Sequence, residues 1–199
     1  MGVCVFFGAV QGLDNEAVQR DLEEYCSSLG YELVKDKPAH HLDRVWIYSQ
    51  KNGWNRLAFQ QQEIEWRKFF EEVSKTRNTK ACYSMIYHGE YWQYWFYAHG
   101  KHLAALCSRP DELGTEDLVD DWTGNPAELA RVFGVDSRVI KPYLASMTAE
   151  SSGLGKVHPA DQADLEDPWV MTDFLDKLGI HYPDESEIDG GKTIYLRSL

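Results

Sequence analysis

"YHGEYWQYWFYAHGKHLAALC", residues 87–107, decides how this chain folds. After Tyr87 it carries six aromatic rings and three histidines, with a carboxylate at Glu90 and a thiol at Cys107. Two readings compete: strands of a sheet, or a metal or ligand site. Side chains alternate across a strand, so Tyr91, Gln93, Trp95, Tyr97 and His99 share one face and Trp92, Tyr94, Phe96 and Ala98 the other. Both faces are aromatic, the pattern of a strand covered by helices on one side and at least partly covered on the other, where Tyr and Trp polar tips reach water or a ligand. A metal would need three or four of His88, Glu90, His99, His102 and Cys107 to converge. His88 and His99 stand at opposite ends of the strand, roughly 36 Å apart along extended chain. The sheet reading wins, and neither a metal site nor a cofactor is expected.

Working outward, "KACYSMIYH" is a strand, Gly89-Glu90 a tight turn, "YWQYWFYA" a strand, His99-Gly100 a turn and "KHLAALCS" a third strand. Upstream, "GVCVFFGAV" reads as a buried strand. "LDNEAVQRDLEEYCSSLGY" reads as a helix with Val18, Leu22, Tyr25, Cys26 and Leu29 on one face, Asp14 or Asn15 as its cap and Gly30 as its stop. "YELVKD" is a strand. "RVWIYSQKNGWNRLAFQQQ" is a hairpin around Asn52-Gly53, because a type I′ turn needs positive φ at both central residues. Trp66, Phe69, Phe70 and Val73 then recur at helical spacing. Residues 1–108 therefore read β-α-β-β-β-α-β-β-β, close to two β-α-β-β units when divided before Trp54.

The expected fold class is α+β: a largely antiparallel sheet with two helices packed on it, plus a helical C-terminal extension. The expected division is a sheet domain over 1–110 and an acidic, mainly helical extension over 111–199. In that extension Asn125-Pro126 opens one helix. "VDSRVIKPYLASM" gives a second, bent at Pro142. A polar loop of nineteen residues, "TAESSGLGKVHPADQADLE", leads to a last helix in "DPWVMTDFLDKLGI". A short strand, "KTIYL", follows the Gly190-Gly191 turn.

With 43% hydrophobic and 26% charged residues, the 199-residue chain has the composition of an ordinary globular protein. Its longest apolar run, Val3 to Val10, is too short for a membrane span and lacks the flanks of a signal peptide. Phe6 stands where a myristoylation signal wants Ser or Thr. The four cysteines have no zinc-type spacing and read as buried free thiols of a cytoplasmic protein.

Charge divides the chain. Residues 1–110 carry 13 acidic and 13 basic side chains, whereas residues 111–199 carry 19 acidic against 7 basic. That imbalance disfavours nucleic acid and suits a basic partner. "ELARVFGVDSRVIKPYL" has the offsets of a helix-turn-helix, but Pro142 interrupts the second helix and cations are few. "SSGLGKV" has the Gly-Lys of a phosphate loop, but Glu150 and Val157 replace a required Gly and Ser/Thr. No nucleophile motif is present.

Two binding surfaces remain as candidates. One is aromatic: Trp46 and Tyr48 share a face of their strand, and Trp95 and Tyr97 share a face of theirs. Trp54, paired with Lys51 across the turn, is expected on the face opposite Trp46. The other is acidic and includes the carboxylate pair Asp120-Asp121.

"HGEYWQYWFYAHGKHLAAL", "NPAELARVFGVD" and "DPWVMTDFLDKLGIHYP" together resemble a bacterial family with an aromatic hairpin and a closing "LGI.YP" helix, for which no activity carries over. The element order of residues 1–108 is similar to that of gyrase-inhibitor-like ligand-binding domains. A small acidic α+β chain also resembles the immunity proteins that neutralise bacterial toxins. The leading expectation is a non-enzymatic cytoplasmic protein that engages a basic protein partner through its acidic C-terminal half. The alternative is a small-molecule-binding domain built on the aromatic surface. Neither a membrane nor a nucleic-acid partner is expected.

Overall fold

The computed structural model describes residues 3–38, 40, 43–60, 64–110, 113, 122, 124–144, 153, 155–188 and 190–199. Its strands are β1 (Val5–Gln11), β2 (Tyr31–Val34), β3 (Asp43–Lys51), β4 (Trp54–Phe59), β5 (Lys80–Tyr87), β6 (Tyr91–Ala98), β7 (Lys101–Cys107) and β8 (Lys192–Ser198). They form an eight-stranded, largely antiparallel sheet in the order β2-β8-β3-β4-β1-β5-β6-β7. The helices are α1 (Asn15–Ser28), α2 (Trp66–Thr76), α3 (Pro126–Phe133), α4 (Ser137–Ile140), α5 (Val170–Lys177) and α6 (Glu185–Ile188). The fold is α+β, as the sequence predicts.

Turn chemistry sets the hairpins. Asn52 and Gly53 have φ of 52° and 78°, and His99 and Gly100 have 54° and 75°, the two positive values of a type I′ turn. The β5–β6 turn is centred one residue earlier than predicted. His88 and Gly89 carry the positive φ, and the Glu90 N–H donates to the Tyr87 carbonyl at 2.9 Å. His99 tolerates its left-handed backbone while its ring Nδ1 lies 2.8 Å from the Asn78 carbonyl oxygen.

By backbone contacts the chain forms two compact units. One comprises Val5–Tyr83, Tyr97–Lys101 and Tyr182–Leu199. Here the register aligns Phe6, Phe59 and Val45 in one row and Gly8, Leu57 and Ile47 in the next. α2 lies on this face, and a Cβ on Gly8 would fall 2.0 Å from the Phe70 ring. All four residues of the predicted α2 stripe are 3% exposed or less, so periodicity and burial coincide. α1 is capped by Asp14, whose carboxylate accepts from the Ala17 N–H at 2.7 Å. Its last predicted apolar residue, Leu29, is 47% exposed, because the helix ends at Ser28 and Leu29 becomes the C-cap.

β8 lies between β2 and β3, pairing Leu196 with Leu33 and Ile194 with Val45. On the sheet face away from α1 and α2, Tyr182 meets Phe7 at 5.2 Å, Gly191 lies against the Tyr48 ring, and Glu187 of α6 holds Arg56. Trp54 corrects an expectation. A bulge between Tyr48 and Lys51 adds one residue to β3, so Trp54 alternates with Arg56 and Ala58 on the same face as Trp46.

The other unit comprises Met1–Cys4, Ser84–Phe96 and His102–His181. Trp92, Tyr94 and Phe96 pack on α5 through Phe174, with Tyr94 stacked on that ring at 5.1 Å, and Phe96 also meets Phe133 of α3. Pro142 has the predicted effect in sharper form. α4 stops at Ile140 and continues as a 3-10 turn over Lys141–Leu144, since proline has no N–H for the α-helical ladder.

Candidate functional site

The opening aromatic strand is core. Trp95 and Tyr97 are 7% and 3% exposed, and Trp95 meets Trp122 edge-on at 5.4 Å. Trp46 and Tyr48 share a face of β3 as predicted from alternation. Tyr48 is buried, which with the nearby Tyr182 pushes its phenol up to about 12, the Glu187 charge adding to the rise. Trp46 is half-buried, and the Arg44 guanidinium lies 5.1 Å from its ring centroid and 5.6 Å from that of Tyr195. The chain thus places its own cation on this aromatic surface. In the strand order, β4, β1 and β5 stand between β3 and β6, so the two aromatic pairs belong to different parts of the sheet. Asp120 and Asp121 lie outside the described residues.

Within the acidic half, two buried carboxylates order the segment before α5. Asp161, 1% exposed, accepts from the Tyr143 hydroxyl at 2.6 Å, the Lys177 ammonium at 2.7 Å and the His158 N–H at 2.9 Å. Burial alone would raise its pKa, but these three donors outweigh that penalty and hold it below the usual carboxylate value. Asp173 accepts from the Gln162 and Ala163 N–H groups at 2.9 Å each. The Leu165 N–H donates to the Gly155 carbonyl. The second part of the polar loop is therefore built around internal acids.

That scaffold presents Trp169, which is 38% exposed at the start of α5. Asp164, Glu166 and Asp167 are exposed in the turn before it. The Asp167 carboxylate accepts the Trp169 N–H at 2.9 Å and fixes the approach of the indole to the helix. Asp176, two turns along the same side of α5, pairs with His181. The signal was legible: Trp169 falls off the apolar stripe of Val170, Met171, Phe174 and Leu175, all fully buried.

A groove between two helices went unpredicted. α1 and α2 border a groove of about 340 Å³. α1 supplies Asp21, Glu24 and Tyr25, and α2 supplies Phe69 and Glu72, with Arg77 at its C-cap. The Tyr25 and Phe69 rings meet at 5.5 Å, and the Tyr25 hydroxyl donates to the Glu65 carbonyl at 3.0 Å. Arg77 is clamped by Asp21, with Nη2–Oδ1 at 2.5 Å and Nε–Oδ2 at 3.0 Å. Nothing in either helix sequence marks this, because the pairing depends on how the helices align.

Among the described residues no group of three or more His, Cys, Asp or Glu side chains is placed to hold a metal ion, and no helix is long and apolar enough to cross a membrane. No protein-family model matches this chain, and comparisons with curated proteins and with solved structures likewise give no match.

Proposed function

We propose that this chain is a cytoplasmic, non-enzymatic binding protein that engages a basic macromolecular partner through its acidic C-terminal half. The observation that carries the reading is Trp169, an exposed indole that follows the exposed Asp164, Glu166 and Asp167 on an ordered turn. Tryptophan is enriched among the residues that dominate binding energy at protein interfaces. Flanking carboxylates attract a cationic surface and bring it in with the right polarity. An Arg of the partner stacked on the indole would use both features at once. The free thiols suit a reducing compartment. Neutralisation of a basic toxin or inhibition of a basic enzyme are forms that such binding takes. Less supports a small-molecule site at Trp46 and Tyr48, since Tyr48 is buried and Arg44 covers Trp46.

The test is native mass spectrometry of the protein purified from its own host at low salt. A second polypeptide is expected, released as the salt rises towards 1 M, where the screening length falls to about 3 Å. Trp169→Ala is expected to weaken the complex by about tenfold or more with the fold intact. A complex indifferent to salt, or one that Trp169→Ala leaves unchanged, refutes the reading.

A further inference from the structure

The groove between α1 and α2 has an apolar floor and an uncompensated charge. Tyr25, Phe69 and Val73 form the floor, with Val73 3% exposed. Three carboxylates line it, from Asp21, Glu24 and Glu72, against the one guanidinium of Arg77. Asp21 already neutralises that guanidinium through the bidentate clamp. Glu24 and Glu72 have no salt-bridge partner among the described residues, so the groove keeps two negative charges. Burial raises the Tyr25 phenol to about 12, with Glu65 and Glu72 adding to the rise, as a negative field requires.

These features select a ligand class. About 340 Å³ lies within the range of small-ligand sites and accepts a ring or short alkyl stem. Carboxylates from both helices favour an ammonium group at the rim, and the Tyr25 ring face adds a cation–π contribution. A carboxylate ligand of the same shape would be repelled, and a neutral one would gain only the apolar contact. We propose that the α1–α2 groove binds a small organic cation, a protonated primary amine on an aromatic or alkyl stem. This site is independent of the Trp169 surface and of the partner inferred above.

The test titrates the ¹⁵N-labelled full chain with phenethylammonium chloride at constant ionic strength. Saturable shifts are expected in the amides of residues 21–28 and 69–77, with a dissociation constant of about 1–10 mM for so small a probe. The neutral isostere 2-phenylethanol should bind about tenfold more weakly, and 3-phenylpropionate should give no saturable shift. Glu24→Gln and Glu72→Gln should each weaken amine binding about threefold, and together reduce it to the level of the alcohol. Both positions are exposed, so the fold is preserved. Trp169→Ala should leave the amine titration unchanged, which separates failure here from failure of the partner reading. The proposal is overturned by no saturation up to roughly 50 mM amine. It is also overturned by equal affinity for the alcohol, by unchanged binding in the double variant, or by shifts that only a lysine-rich peptide produces.

Discussion

Replacing Glu187 with Gln should cost about 3 kcal/mol of stability at neutral pH. Arg56 sits in the middle of β4 with a fully buried side chain, and its guanidinium donates to both oxygens of Glu187, at 3.1 and 2.5 Å. The Ser49 carbonyl accepts from the same group at 2.9 Å. Glu187 is 23% exposed, and the Arg56 hydrogen bonds bring its pKa from 4.5 down to about 2. At about 1.4 kcal/mol per unit, that depression corresponds to roughly 3 kcal/mol. Leaving a buried charge without its partner carries a similar cost, about 3–5 kcal/mol. Because the folded pKa is the lower one, the stabilisation is complete above pH 4.5 and is lost as the pH falls towards 2. Urea unfolding of wild type and Glu187→Gln at pH 7, 5 and 3 should show a gap that is constant from 7 to 5 and about halved by pH 3. Arg56→Met combined with Glu187→Leu should recover most of the loss, since an apolar pair needs no compensation. A gap below about 1 kcal/mol at pH 7, or one that does not narrow at pH 3, refutes this account.

Gly8→Ala places a methyl group 2.0 Å from the Phe70 ring and should lower stability by about 1–3 kcal/mol, with Phe70→Leu relieving part of the loss in a thermal melt. Asp161→Asn removes the counter-charge of Lys177, which is 20% exposed, and should cost about 2–4 kcal/mol; amide exchange would show lost protection first over residues 158–165. Iodoacetamide at pH 8 should modify Cys4 alone in the native protein, because Cys26, Cys82 and Cys107 are buried and burial pushes the Cys26 and Cys82 thiols up to about 12. Mass spectrometry counting the adducts before and after unfolding checks this.

Local signals carried most of the fold into the sequence. Asn52-Gly53 demanded positive φ, His99-Gly100 read as a turn, and the spacing of Trp66, Phe69, Phe70 and Val73 demanded a helix; all three are found. The non-local parts were illegible for definite reasons. A bulge changes the parity of β3 without altering its composition, so Trp54 ended on the unexpected face. "KTIYL" could be read as a strand, but its place between β2 and β3 depends on which edges are open once the rest has paired. Asp161 stands in a polar, acidic stretch and looks like solvated charge, and Asp173 lies in the last helix with nothing local to mark its partners, because burial of an acid is set by donors brought from elsewhere. The groove lined by Glu24 and Glu72 likewise exists only once two helices lie side by side.

Among the described residues, the acids of the C-terminal half divide by what each carboxylate touches. Asp161 and Asp173 are internal supports. Glu187 neutralises Arg56, Glu128 and Asp136 are engaged by Arg131 and Arg138, and Asp184 accepts from the Ser186 and Glu187 N–H groups at the start of α6. These groups contribute to net charge, but both oxygens of Glu187, Glu128 and Asp136 are engaged, and Asp184 spends one of its own on the start of α6. Glu166 gives one oxygen to the Gly153 N–H. Asp164 is exposed in the turn that precedes Trp169, and Asp167 keeps one oxygen clear of its bond to the Trp169 amide. A basic partner that reads diffuse charge would respond equally to neutralisation of Asp136 or Asp164. One that reads the Trp169 surface would discriminate, losing affinity with Asp164→Asn and keeping it with Asp136→Asn. Net charge alone supports long-range attraction. Specific docking requires an anchored apolar group among accessible charges, and the turn at 164–169 brings both together on a rigid support.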